Sequence, residues 1–389
     1  MVVGPGAWSR AWRVLALAGV WALVAGVGIA GAAPVRAVTG VVGAVTEYGP
    51  LPSIPVSGVC ETHFDAAGKL WIEQYLSSQV ASFDPSAGTF VEHNTPMPLS
   101  VPGGMAVGPD GGLWMPEVTG NALLRVDPAD GGMQEFRLPW ENALNGRALD
   151  LPLHLGLGLA NDIAAGPDGA LWFTLGGLNA IGRYDPASHA FSRFPVPGEV
   201  LGQVQALFGI IKPGPGNTVV MDLPQQNAVV TLDVATHRFT RYTMPTPLSF
   251  PVGVWTAGDG SIWVTESLGM RVARIDVGSG TIQEFPLFGL GGLLSTLEGD
   301  LLSGSLGNPL PLPGPITQGS DGNMYVALSF PAGDALGNQI GMIDPVTHRV
   351  RLWSTPSSAS YPCDVQGEQA GSIWFGELTP NKVGRLSLG

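Results

Sequence analysis

Only three of the 389 residues are lysine (Lys69, Lys212 and Lys382), and Lys plus Arg number 18 against 31 Asp plus Glu, a formal net charge of −13. So few cations cannot neutralise a phosphate backbone, which excludes nucleic acid as a partner. Charged residues make up 13% of the chain and hydrophobic residues 45%, while Gly and Pro contribute 56 and 34. That is too apolar for a disordered chain and rich in turn formers, so the composition reads as all-β. Cysteine occurs only at Cys60 and Cys363. Beyond the N-terminal region no apolar run is long enough to span a bilayer.

At the N-terminus Arg10 and Arg13 precede an apolar stretch from Val14 to Ala30, followed by the small-residue sites Ala30-Gly31-Ala32 and Val35-Arg36-Ala37. Basic region, apolar region and small residues are the parts of a secretory signal. Residues 1–37 are therefore expected to be a signal peptide cleaved after residue 32 or 37, leaving 38–389 as a secreted or cell-envelope domain without a transmembrane span. The alternative is an uncleaved anchor, because about 17 apolar residues is near the lower limit for crossing a bilayer. In an exported chain Cys60 and Cys363 can stay oxidised, and both a disulfide and two free thiols remain open.

One pattern returns along the chain: an apolar run, a Gly/Asp turn, a strand with Trp near its start, then apolar-Asp-Pro and a short strand with aromatics. Residues 105–114, 163–172 and 254–263 are the clearest copies, ending at Trp114, Trp172 and Trp263, and weaker copies centre on Trp71, Val220, Tyr325 and Trp374. The seven anchors lie 43, 58, 48, 43, 62 and 49 residues apart, in and somewhat above the range of four-stranded propeller blades. The expected fold is thus an all-β, seven-bladed β-propeller. The last repeat stops at Leu388, short of an outer strand, whereas residues 44–48 look like an outer strand without a blade. The N-terminal strand is expected to complete the last blade, and the recurring Trp residues to pack the blades rather than stack on a ligand.

Gly-Pro-Asp-Gly-Ala-Leu-Trp-Phe-Thr at 166–174, Asn-Ala-Ile-Gly-Arg-Tyr-Asp-Pro at 179–186 and Thr-Ile-Gln-Glu-Phe-Pro-Leu at 281–287 resemble the streptogramin B lyase (virginiamycin B lyase) family of seven-bladed propellers, over about residues 44–389. The resemblance implies a metal-dependent, ring-opening elimination, with a His base in a Glu-Pro-His-Gly segment that begins the last inner strand and a metal-binding Glu nearby. The matching segment is Tyr361-Pro362-Cys363-Asp364. Cys363 stands at the base position and Tyr361 at the preceding Glu position. Glu377 is the nearest acidic match, and Ser57 replaces a Tyr at the mouth of the first blade.

In a propeller, the links between blades and those between second and third strands emerge on one face, here the top. Ser57, Gly103, Asn161, Val252, Gly314 and Cys363 are then expected at the channel rim. Gln74, Glu117, Glu266 and Glu377, three residues past their Trp, end second strands on the same face. Glu117, Glu266, Glu377 and Asp364 are candidate ligands for one divalent cation, Mg or Ca, because hard cations take carboxylate and carbonyl oxygens. The alternative is that the glutamates are solvated strand ends. Ser57, Gln74, Asn161 and Tyr361 are candidate ligand-binding residues. His154 is the one histidine expected on the top and a candidate base, and Cys363 is a candidate nucleophile.

The long spacings come from insertions at residues 140–159, 199–215 and 286–313, all links on the top face. Val200, Val204, Leu207, Phe208 and Ile211 in the second, and Leu290, Leu293, Leu294, Leu297 and Leu301 in the third, follow helical spacing, so two short helices are expected to cap the channel. Three functions stay open for what is read as a monomer: a non-catalytic propeller binding a small-molecule or envelope ligand, a lyase opening a cyclic ester or depsipeptide, and a lactonase-type hydrolase.

Overall fold

Strand-forming runs separated by Gly and Asp turns leave each repeat room for antiparallel strands alone. The computed structural model of the chain forms seven four-stranded antiparallel sheets. It describes residues 43–52, 57–140, 158–198, 209–287, 312–330, 337–366 and 371–388. The expected signal segment and His154 lie outside them.

The third blade carries the plan. Ile163–Ala165 lines the channel, Leu171–Leu175 pairs with it, and Ala180–Asp185 and Ala190–Pro195 follow outward in consecutive antiparallel register. The Gly-Pro-Asp-Gly turn before the Trp strand holds that strand's anchor. Asp168 accepts the indole N–H of Trp172 at 2.9 Å through Oδ1 and the Nε–H of Arg183, the cross-strand partner of Trp172, at 2.8 Å through Oδ2. Gly166 has no side chain because a Cβ there would lie 2.4 Å from the Trp172 ring. Asp110 serves Trp114 and Arg125 in the same way, and Asp321 accepts the hydroxyl of Tyr325 at 2.8 Å, so a Tyr can fill the anchor place.

The core lies between blades rather than inside one. Trp172 and Ile181 of the third blade pack with Ile211, Met221 and Val230 of the fourth, and Trp114 of the second with Phe173 and Tyr184 of the third. Trp71, Trp114, Trp172 and Trp263 are each at most 1% exposed. Burial of this extent fits the blade-packing role and leaves no ring face for a ligand.

Val45–Tyr48 pairs with Lys382–Ser387 as the outer strand of the last blade, as expected. Tyr48 stacks on Trp374 at 5.5 Å, and Trp374 and Val383 pack with Ile72 and Phe83 of the first blade. Lys382 donates to Glu47 at 2.7 Å. A disulfide joins Cys60 and Cys363 on the inner strands of the first and last blades, with Cα atoms 4.8 Å apart.

The insertion boundaries need correction. Ile211–Pro213 is already the inner strand of the fourth blade, Ile282–Pro286 still an outer strand, and Leu312–Gln318 the inner strand of the sixth. A residue at a blade's start must reach the channel, and this overrides the helical spacing assigned to Ile211. The rest of both expected helices lies outside the described residues, among which the helical elements are two short 3₁₀ turns, Gly176–Leu178 and Pro224–Gln226. No helix of the described residues is long and apolar enough to cross a membrane.

The disulfide closes a chain segment of 303 residues, so in the chain-entropy picture it adds about 5–6 kcal/mol. Reduction, or Cys60→Ser with Cys363→Ser, is expected to lower the urea midpoint accordingly. Equal midpoints for oxidised and reduced protein refute this.

Candidate functional site

The channel is crossed by a buried ionic network. Lys212, from the inner strand of the fourth blade, places its ammonium 3.0 Å from Glu61 Oε1 of the first blade and 3.3 Å from Asp162 Oδ2 at the head of the third. All three side chains are at most 8% exposed. The carboxylates also accept backbone N–H groups of the following blade, Glu61 from Met105 and Asp162 from Ile211, both at 2.8 Å. Gly104 of the second blade leaves space for both: a Cβ there would meet Asp162 Oδ1 at 2.0 Å and Glu61 Oε2 at 2.5 Å.

Burial alone would raise Glu61, but Lys212 and His63 hold its carboxyl well below the ordinary value. Burial likewise opposes charge on Lys212, yet Asp162, Glu61 and Asp364 keep it firmly protonated. Asp162 is raised to about 6 by burial against the pull of Lys212. Asp222, buried on the second strand of the fourth blade, is raised to about 8 by burial although it accepts the Ile210 and Gly253 N–H groups at 2.8 and 2.7 Å. Asp364 is raised well above its ordinary value by burial and then by Glu61.

A second series stitches the inner strands from two places past the anchors. Glu73 accepts the Glu61 N–H at 3.2 Å, Thr174 the Asp162 N–H at 3.1 Å, Asp222 bridges the fourth and fifth blades, and the Thr265 hydroxyl donates to the Gly314 carbonyl at 2.7 Å. Adjacent strand residues face opposite sides of a sheet, so the sequence candidates one place later point away from these contacts. Gln74 donates to Glu92 on the outer strand of its own blade at 2.8 Å. Glu117, Glu266 and Glu377, in the second, fifth and last blades, are 0% exposed. Their outer-strand neighbours are Glu135, Glu284 and Glu47. Burial, then Glu135, raises Glu117 to about 7. Burial, with Glu284 adding against the Ser249 hydroxyl, raises Glu266 to about 7, and burial, then Glu47, raises Glu377 well above its ordinary value.

A hard cation needs ionised oxygens converging on one point. These glutamates are divided among three blades and favour the neutral form, so they do not fit the metal that the resemblance implies. Among the described residues no group of three or more His, Cys, Asp and Glu is arranged to hold a metal ion.

The remaining candidates sit at seams between strands. The Ser57 backbone N–H and hydroxyl both donate to Asn381 Oδ1, joining the first and last blades. Asn161 donates its N–H to Thr174 Oγ1 at 3.0 Å and accepts the Gly104 N–H at 2.8 Å. Tyr361 is buried with φ +50° and donates its N–H to the Gly337 carbonyl at 2.8 Å. Cys363 is held in the disulfide, where its sulfur is no thiolate.

Glu61, Glu73, Asp162, Lys212 and Asp222 were not singled out by sequence reasoning. A signal existed: Glu61, Asp162 and Asp364 each stand ten residues before the Trp anchor of their repeat.

Seven four-stranded blades with a buried lysine–carboxylate network between their inner strands define a β-propeller. Residues 158–290 match the Virginiamycin B lyase family, so this part of the chain resembles that family. A streptogramin B lyase structure is similar at 23% identity and TM-score 0.70, covering 89% of this chain and 98% of that one. A catalytically inactive virginiamycin B lyase variant from Staphylococcus aureus with quinupristin is similar at 22% identity and TM-score 0.69, covering 89% and 99%. The extracellular domain of a hybrid two-component system from B. thetaiotaomicron is similar at 14% identity and TM-score 0.61, covering 88% of this chain and 40% of that one. These likenesses extend the shared fold to most of the chain. No curated protein sequence matches it.

Since Glu117 and Glu266 are raised from 4.5 to about 7, the folded protein holds protons that the unfolded chain releases. Their contribution to stability is present below about pH 4.5 and falls as pH rises through about 7. Glu117→Gln with Glu266→Gln is expected to flatten that fall in urea midpoints. A pH profile identical to the unmodified protein's would mean that both groups ionise in the fold.

Proposed function

We propose that this protein is an exported, non-catalytic propeller that binds a small-molecule or envelope ligand on the face where the inter-blade links emerge. One observation carries the reading: Cys363, at the place where the resemblance implies a His base, is bonded to Cys60. A disulfide sulfur neither takes a proton nor attacks a carbonyl, so the position supports ring closure instead of proton transfer. The glutamates of the same face, separated and favouring the neutral form, support the same reading. Resemblance of fold carries no activity by itself.

The linking face has apolar contacts to offer. Leu99 in the link to the second blade and Leu248 in the link to the fifth are 64% and 83% exposed, and Leu76 and Leu268, in turns between second and third strands, are 48% and 60% exposed. Leu248 adjoins Ser249, whose carbonyl accepts the Leu268 N–H at 2.9 Å, so these two exposed side chains share one edge of the face. Such side chains suit a ligand with apolar groups. Export rests on the N-terminal sequence and accords with a disulfide that an oxidising compartment preserves.

The test uses quinupristin, a cyclic depsipeptide, with the purified oxidised protein and magnesium. Chromatography and mass spectrometry distinguish the readings: intact peptide is expected throughout. A ring-opened product of unchanged mass would establish elimination and a product heavier by one water hydrolysis, either of which overturns the non-catalytic reading.

A further inference from the structure

We infer that the strand closing the ring is a pH-sensitive latch, fastened by a proton shared between Glu377 and Glu47 and released when that proton leaves. The latch belongs to the seam between the chain ends and does not depend on what the linking face binds.

The last blade takes its outer strand, Val45–Tyr48, from the other end of the chain, and four residues of pairing with Lys382–Ser387 hold it. Glu47 is the one charged residue of that strand and is 4% exposed. Its carboxylate accepts the Ser357 N–H at 2.5 Å, the Ser357 hydroxyl at 2.7 Å and the Lys382 ammonium at 2.7 Å. Glu377 ends the second strand of the same blade, in register with Lys382 on the third strand and Pro362 on the inner one. It is 0% exposed, and neither of its oxygens meets an N–H or O–H donor among the described residues. The group within hydrogen-bond reach is another carboxyl, that of Glu47.

Two carboxyls side by side and away from water cannot both ionise. Lys382 and Ser357 fix the charge on Glu47, so the proton falls to Glu377, whose O–H donates to Glu47. The first blade builds the same contact with a permanent donor: Gln74, three residues past its Trp as Glu377 is, donates its amide to Glu92 on the outer strand at 2.8 Å. The fifth blade repeats the carboxyl pair with Glu266 and Glu284, but there both strands belong to one continuous stretch of chain. In the last blade the pair joins the two ends. The charged groups facing Glu377 are Glu47 and Lys382; burial and Glu47 raise it, and Lys382 opposes them in part. A carboxyl raised in the fold stabilises below its ordinary value and loses that contribution as pH rises through the raised one. Ionisation then sets a second buried negative charge against Glu47. The short outer strand is the part free to leave, because the disulfide keeps the inner strands of the first and last blades joined.

Hydrogen exchange of the full oxidised chain, read by mass spectrometry and corrected for the intrinsic pH dependence of exchange, tests this. Protection of the Val45–Tyr48 amides is expected to fall about tenfold between about pH 6 and pH 9, while the amides of Leu171–Leu175, a second strand that ends in leucine, keep theirs. Glu377→Gln, which copies the first blade, is expected to hold the protection of Val45–Tyr48 constant. Glu47→Gln is expected to do the same, since a single carboxyl needs no shared proton. Equal protection of Val45–Tyr48 at both pH values in the unmodified protein overturns the inference without recourse to any variant. So does a fall that persists in either folded variant, because another group then governs the strand.

Discussion

Closing a ring of blades requires the two ends of the chain to meet, and every inter-blade core depends on that seam staying shut. Each apolar cluster is shared by neighbouring blades, so a gap at one seam would expose half a core on either side. The seam between the first and last blades is held in several independent ways. Within the last blade Val45–Tyr48 supplies main-chain pairing between the two ends of the chain, and Lys382 with Glu47 an ion pair between the same two strands, while Cys60–Cys363 forms a covalent bond and Ser57 with Asn381 a buried polar contact from the first blade to the last. The pairing and the disulfide differ in what they resist: strand pairing must be broken residue by residue, whereas the disulfide restricts the unfolded chain.

Scarcity of cations gives the few lysines unusual positions. Lys212 and Lys382 both lie in ion pairs, one in the channel and one at the closing strand. The channel pair is almost withdrawn from water, where a lone charge would be prohibitive and a paired one is tolerated because several backbone N–H groups share the carboxylates. This network occupies the middle of the ring. Chemistry of the lyase kind would have to work from a face, and there the position expected to hold a base holds one end of the disulfide.

Two environments sort the acidic residues. Where Lys212 is in reach, Glu61 is held below its ordinary value; where burial is reinforced by another carboxyl, as for Glu117 beside Glu135 and Glu377 beside Glu47, the value rises. Neutral carboxyls at strand ends behave as polar packing groups. Their repetition across blades follows from the repetition of that environment, which requires no shared ligand.

Blade number, the Gly/Asp turns before the Trp strands and the closing N-terminal strand were legible in the sequence, because each depends on a pattern within one repeat or on the count of repeats. Asp168 and Trp172 stand four residues apart in one repeat, and the unmatched strand near residue 45 has one place to go. The site was legible only as a list of residue types on a face. One step along a strand reverses a side chain, so choosing the residue three places past the anchor selected Glu117, Glu266 and Glu377, which turn toward their own outer strands, and missed Glu73 and Asp222. The common offset of Glu61, Asp162 and Asp364 was present in the numbering, but Lys212 belongs to another repeat and sits at no equivalent place. Its meeting with Glu61, 151 residues away, exists because the ring brings the inner strands of the first, third and fourth blades around one axis. Only tertiary structure creates that proximity, and with it the protonation state of every buried acid in the channel.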